Sequence, residues 1–236
     1  ERLSFDLQMQ IAAALSFPGR TAQEKAKKLM RRYFDYAREV GALTHIFCAV
    51  LEEENLRTPP LPVGSLQAAE ALSPSFVLDG GRLNFSPSVT LADDPALAVE
   101  LFDIAQQREW HLHPRARLLI ARALLHLTRA LPFERAANKR FLDMLLHRKN
   151  PETSLRRMNE MGVLGALIPE FSRVVGMMQY DGYHTYTVDE HTLVAVGQLA
   201  AIEAGAWEKQ MPLATAVAKE IGDRTPLYLA MLCHDL

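Results

Sequence analysis

The chain has 236 residues, a formal net charge of −2, and 49% hydrophobic against 23% charged residues. This is long enough to bury a sizeable core and ordinary for a globular protein, and the near-neutral balance argues against nucleic acid or an anionic membrane as the main partner. No apolar run is long enough to span a bilayer, and Glu1-Arg2-Leu3-Ser4 lacks the charged and apolar regions of a secretory signal. Cys48 and Cys233 lie far apart in apolar runs with no C-x-x-C pattern, so two buried free thiols in a reducing cytoplasm are expected.

In chain order, residues 4–15 read as a short helix. Residues 21–55 read as a long one, with Leu29, Tyr33, Ala37, Val40, Phe47 and Leu51 at helical spacing. The long helix starts basic (Lys25, Lys27, Lys28, Arg31, Arg32) and ends acidic (Glu52, Glu53, Glu54). Both ends oppose the helix dipole, at roughly a few tenths of a kcal/mol per charge. A Pro- and Ser-rich loop covers 56–74. Asp79-Gly80-Gly81 between apolar runs then predicts a hairpin over 76–85, because glycine supplies the positive φ that such a turn requires. Helices are predicted at 94–109, 114–129, 134–148, 151–161, 163–176, 187–205, 211–221 and 225–236. Pro95, Pro114, Pro151 and Pro226 stand where a first helical residue belongs. The expected fold is all-α: a helical bundle with one small β-hairpin. A soft boundary near 150–180 separates residues 1–150 from 151–236.

Chemistry concentrates near the C-terminal end. Thr187 and Glu190 have the T-x-x-E spacing of a capping box, which starts a helix at Val188. His191 then shares a face with Ala195, Leu199 and Ile202 and is expected to point inward. The last helix, Pro226 to Leu236, is apolar almost all round and therefore expected to be deeply buried, yet it ends in His234-Asp235. A carboxylate in an apolar setting is costly unless it is paired or bound to a metal. Two imidazoles and a carboxylate can hold a divalent cation, and such a site suits phosphodiester hydrolysis. From spacing alone, a satisfied buried His–Asp pair remains an equally open reading.

An upstream histidine on an apolar helix followed by His-Asp on a later one resembles the HD phosphohydrolase superfamily. The segments Gly176-Met177-Met178-Gln179-Tyr180-Asp181, Tyr183-His184 and Tyr186-Thr187-Val188-Asp189-Glu190-His191-Thr192-Leu193 resemble, more specifically, the bifunctional PII uridylyltransferase/uridylyl-removing enzymes. The similarity extends through Leu155–Gly165, Ile168–Phe171 and Leu227–Ala230, and more weakly to Arg2–Asp6 and Met30–Phe34. The resemblance implies that His191, His234 and Asp235 are metal ligands, with Mg2+ or Mn2+ as the cation, and that His184 is a possible substrate contact. It implies removal of UMP from uridylylated PII protein by residues 151–236, the N-terminal part of an HD domain. Residues 1–150 would be a helical linker following a nucleotidyltransferase domain. Uridylyl transfer, a final Asp ligand and glutamine sensing through ACT domains would all lie outside the chain, which alone is expected to be inactive. The implied setting is cytoplasmic, without nucleic acid or membrane.

Two alternatives stay open. One is an HD-bearing relative of the tRNA nucleotidyltransferases, suggested by Gly162-Val163-Leu164 and Ile168-Pro169-Glu170; the other is a non-catalytic helical regulatory module. Other signals are weaker. His113, just before Pro114, reads as a helix cap, and its i, i+2 partner His111 would face away from it. His126 and His147 read as surface or core-edge residues, and Glu170 as a solvated carboxylate in a turn.

Overall fold

A computed structural model describes residues 3–56, 70–147, 151–178 and 186–236. His184 therefore falls outside the described residues, as does most of the predicted Pro- and Ser-rich loop. The chain begins with α1 (Phe5–Ala14) and the long α2 (Ala22–Leu56). Thr21 Oγ1 accepts from Glu24 N at 3.1 Å, and Glu24 accepts from Arg20 N at 2.7 Å, which fixes the start of α2. Among the described side chains of α2, Ala26 and Met30 are the buried ones. The apolar series that predicted this helix does form it, but on an outer face: Tyr33, Val40 and Phe47 are exposed.

Strands β1 (Glu70–Ala71), β2 (Phe76–Asp79) and β3 (Arg82–Phe85) form an antiparallel sheet in that order. The predicted hairpin is β2–β3, with Asp79 opposite Arg82 and positive φ at both Gly80 (56°) and Gly81 (75°), as a two-residue primed turn demands. The two-residue β1 is too short to leave a signal in sequence. Leu83 N donates to His111 O at 2.9 Å and His113 N donates to Leu83 O at 2.8 Å, docking the hairpin on the connection between the next two helices.

Those helices are α3 (Ala96–Arg108) and α4 (Pro114–Ala130), followed by a 3-10 turn and α5 (Arg135–Leu145). His113 caps α4 as expected: its Nδ1 accepts from Arg115 N at 3.1 Å. Next come α6 (Pro151–Glu160), α7 (Val163–Leu167) and α8 (Pro169–Val174). The single helix expected over 163–176 is thus two, because Pro169 cannot donate to the preceding turn and starts a new helix. Glu170 accordingly lies in the first turn of α8 rather than in a turn of loop.

The last elements are α9 (Val188–Glu203), α10 (Pro212–Glu220) and α11 (Thr225–Cys233). One continuous core runs from Phe76 of the hairpin through Phe102, Ile120, Phe141 and Phe171 to Tyr228 and Leu232. Gly162 holds the α6–α7 turn at φ 75°, and a Cβ there would come 2.9 Å from Leu124 Cδ2. Gly162→Ala should therefore cost about 1–3 kcal/mol, from left-handed strain plus the clash, readable as a lowered urea midpoint with unchanged m.

Candidate metal centre

Helix α9 is fastened at both ends. At its start Val188 N donates to Met177 O at 2.9 Å. The buried Asp189 carboxylate accepts from Asn159 Nδ2 at 2.9 Å and from Gly176 N at 3.1 Å. The expected capping box does not close. Thr187 is the N-cap residue without a side-chain cap bond, and Glu190 instead pairs with Arg156 of α6. A charged guanidinium is a stronger partner for a carboxylate than a backbone N–H. Partial burial disfavours the Arg156 charge, but hydrogen bonds from Arg156 to Glu152 and Glu190 outweigh it and raise its pKa above the ordinary guanidinium value.

At the other end, Glu203 Oε2 accepts from Tyr228 Oη at 2.7 Å and from Arg224 Nη1 at 2.9 Å. Arg224 Nη2 also donates to Leu146 O at 2.9 Å. The start of α11 is therefore tied to the end of α9, so the two helices run antiparallel. Their free ends bring His191 and His234-Asp235 together.

His191 Nε2 lies 4.0 Å and His234 Nε2 lies 3.3 Å from Asp235 Oδ2. The two imidazole centroids are 5.5 Å apart, with planes at 58°. One ligand atom from each of the three residues lies within 4.8 Å of the others. Ligands bound at about 2.0–2.2 Å stand roughly 3 Å apart when cis and roughly 4 Å apart when trans, so the 3.3 and 4.0 Å separations match one coordination sphere, while the 4.8 Å limit on the trio is somewhat wider than it. His234 Nδ1 donates to Met231 O at 2.7 Å. A carbonyl only accepts, so Nδ1 carries a proton and Nε2 is the nitrogen that faces Asp235; backbone orientation of this kind is what metal-ligating histidines use. The donor set thus fits a divalent cation: two nitrogens, one carboxylate oxygen, and open positions toward solvent.

The structure brings the three predicted ligands together but corrects their setting. His191 is not inward-facing; its side chain is 41% exposed. The buried stripe of α9 is Val188, Thr192, Leu193, Val196 and Leu199, and His191 lies at its edge, facing α11. Helix α11 is not deeply buried: only Tyr228 and Leu232 are enclosed, and His234 and Asp235 follow its last turn. Both cysteines are exposed rather than buried, Cys48 on α2 and Cys233 beside His234. The groove of about 820 Å3 between α2 and helices α4, α6, α7 and α8 contains none of the three candidate residues. Sequence reasoning missed the supporting residues Arg156, Asn159, Glu203 and Arg224, whose partners lie 21 or more positions away and leave no local pattern.

Residues 1–48 match the family model described as GlnD PII-uridylyltransferase, and residues 76–167 match that of the uridylyltransferase GlnD third domain. Three proteins named bifunctional uridylyltransferase/uridylyl-removing enzyme are similar over the whole chain. They come from Azospirillum brasilense (42% identical), Phenylobacterium zucineum (44%) and Rhodospirillum rubrum (40%). The chain spans 25–26% of their lengths, about a quarter of each. No solved structure matches.

Proposed function

The chain belongs to the family of bifunctional uridylyltransferase/uridylyl-removing enzymes, and we propose that His191, His234 and Asp235 form the metal-dependent hydrolase centre that takes UMP off uridylylated PII protein. The observation that carries this reading is the convergence of three ligand atoms from two helices within 4.8 Å. His191, His234 and Asp235 would hold a divalent cation, which when bound would supply Lewis-acid chemistry for phosphodiester hydrolysis. The two imidazole nitrogens favour Mn2+ over Mg2+, which prefers an all-oxygen octahedron.

The chain's own residues hold and orient this site. Met231 O fixes the His234 tautomer. Asp235 Oδ2 lies between the two imidazoles. The Glu203–Arg224–Tyr228 cluster sets the distance between α9 and α11. All three ligand side chains are 28–41% exposed, which suits a phosphodiester carried on the surface of another protein. In this reading residues 151–236 are the N-terminal part of an HD domain and residues 1–150 connect it to a nucleotidyltransferase domain. Uridylyl transfer and glutamine control reside elsewhere in the longer polypeptide, in the cytoplasm. No described helix is long and apolar enough to cross a membrane.

The test is UMP release from uridylylated PII by the full-length enzyme. His191→Ala and Asp235→Ala should each abolish release while leaving UMP transfer intact. Wild-type release by Asp235→Ala would overturn the assignment.

A further inference from the structure

Helix α2 meets the residues after α8 at Phe34, where a Cβ on Gly176 would come 3.2 Å from Phe34 Cβ. From the next turn onward, Arg38 to Leu43, it forms one wall of the groove of about 820 Å3 whose other walls are α4, α6, α7 and α8. Small-molecule sites have volumes of about 300–1,000 Å3, and this groove falls within that range. Helix α4 lines it with Arg117, Ala121, Leu124 and Thr128, a single stripe at helical spacing. Gly41 lines it from α2, and a Cβ added there would meet nothing within 4 Å. Glycine is the poorest helix former after proline, and no described neighbour requires it at this position of a 35-residue helix. Its place is explained if the wall stays thin for something that approaches the backbone from the groove.

The charged lining is uneven. Glu39 and Glu160 are exposed to water, and Arg38 pairs with Asp35 at 3.3 Å. Arg117 is half-buried and makes no hydrogen bond or ion pair with any described residue. Burial lowers its pKa below the ordinary guanidinium value; Glu160 opposes this, and Arg157 and Arg82 add to it. A guanidinium drawn out of water without a partner is unfavourable. A ligand carboxylate or phosphate would supply that partner, in the bidentate geometry that arginine favours. Most of the remaining lining, from Ala42 and Leu43 across to Leu124 and Ala166, is apolar. We propose that this groove binds a small amphipathic anion, with its charged head on Arg117 and its apolar body against Gly41, Leu124 and Ala166. The site is separate from the candidate metal centre, none of whose residues line it.

Calorimetric titration with octanoate and octyl phosphate, and with octanol as their uncharged counterpart, tests both halves of the site. At least one of the two anions should bind the chain at a single site, and more tightly than octanol. Arg117→Met keeps the apolar stem and removes the charge. It should weaken that anion roughly 10–100-fold, the worth of a charge-assisted hydrogen bond, and leave octanol unchanged. Gly41→Leu fills the groove from a position with no neighbour to clash and improves helix propensity. Its thermal melt should therefore not fall, while all three probes weaken at least tenfold. This result stands whether or not Arg117→Met lowers the melt. A wild type that binds neither anion, or binds both no better than octanol, overturns the proposal. Anion binding that survives Gly41→Leu lies elsewhere, such as the exposed apolar face of α2, and overturns it too.

Discussion

Titrating the chain with Mn2+ should reveal one site that Asp235→Ala weakens more than 100-fold. His191→Ala and His234→Ala should have comparable effects. Residues that merely orient a ligand are worth about 10–100-fold in metal affinity, so removing one of three direct ligands should exceed that range. Asp235 should be the most sensitive position, because it supplies the only carboxylate of the cluster and lies within 4.0 Å of both imidazole Nε2 atoms. Mg2+ should compete with Mn2+ only at much higher concentration, since nitrogen donors suit it poorly. Water-proton relaxation or Mn2+ paramagnetic resonance reads the bound fraction directly. If Mn2+ binds equally to the wild type and Asp235→Ala, these three residues are not its ligands.

The hairpin was legible because Asp79-Gly80-Gly81 encodes its turn locally, and most helix starts were legible because proline follows a plausible cap. The candidate metal-binding trio was only half legible. Each residue stood out on its own helix, but nothing in the spacing says that α9 and α11 run antiparallel with His191 beside Asp235. That depends on Glu203 reaching Arg224 and Tyr228, contacts invisible to periodicity. Periodicity also cannot tell which neighbour an apolar stripe faces. The stripe of α2 and the apolar α11 both suggest burial, yet the first lies outward and the second is only partly enclosed. His191 shows the same limit on a finer scale: its predicted face includes Leu199, but the buried stripe is centred on Thr192 and Val196, and the roughly quarter-turn difference brings the imidazole to the rim.

Glu203→Ala should be the most destabilising substitution near the site. Its carboxylate is 11% exposed and accepts from both Tyr228 and Arg224, whose side chain is 24% exposed. Removing one partner of a buried ion pair costs about 3–5 kcal/mol, and the partial exposure of Arg224 brings the expectation down to roughly 2–4 kcal/mol. For a chain of this size that lowers Tm by roughly 5–15 °C. Because the same cluster ties α11 to α9, Glu203→Ala should also loosen the ligand geometry and weaken Mn2+ binding about tenfold. Tyr228→Phe separates the two contributions, keeping the ion pair and the packing. Burial, together with the hydrogen bond to Glu203 and its nearby charge, raises the Tyr228 pKa well above the ordinary tyrosine value, with Arg224 acting in the opposite sense. The folded state therefore holds this proton more tightly than the unfolded chain. The stabilisation is complete below pH ~10 and is lost progressively as the pH rises above it. Wild type should accordingly lose stability in urea melts above pH ~10, and Tyr228→Phe should show a flatter alkaline limb from a lower starting point. Parallel alkaline limbs in the two proteins would mean that Tyr228 is not the group responsible.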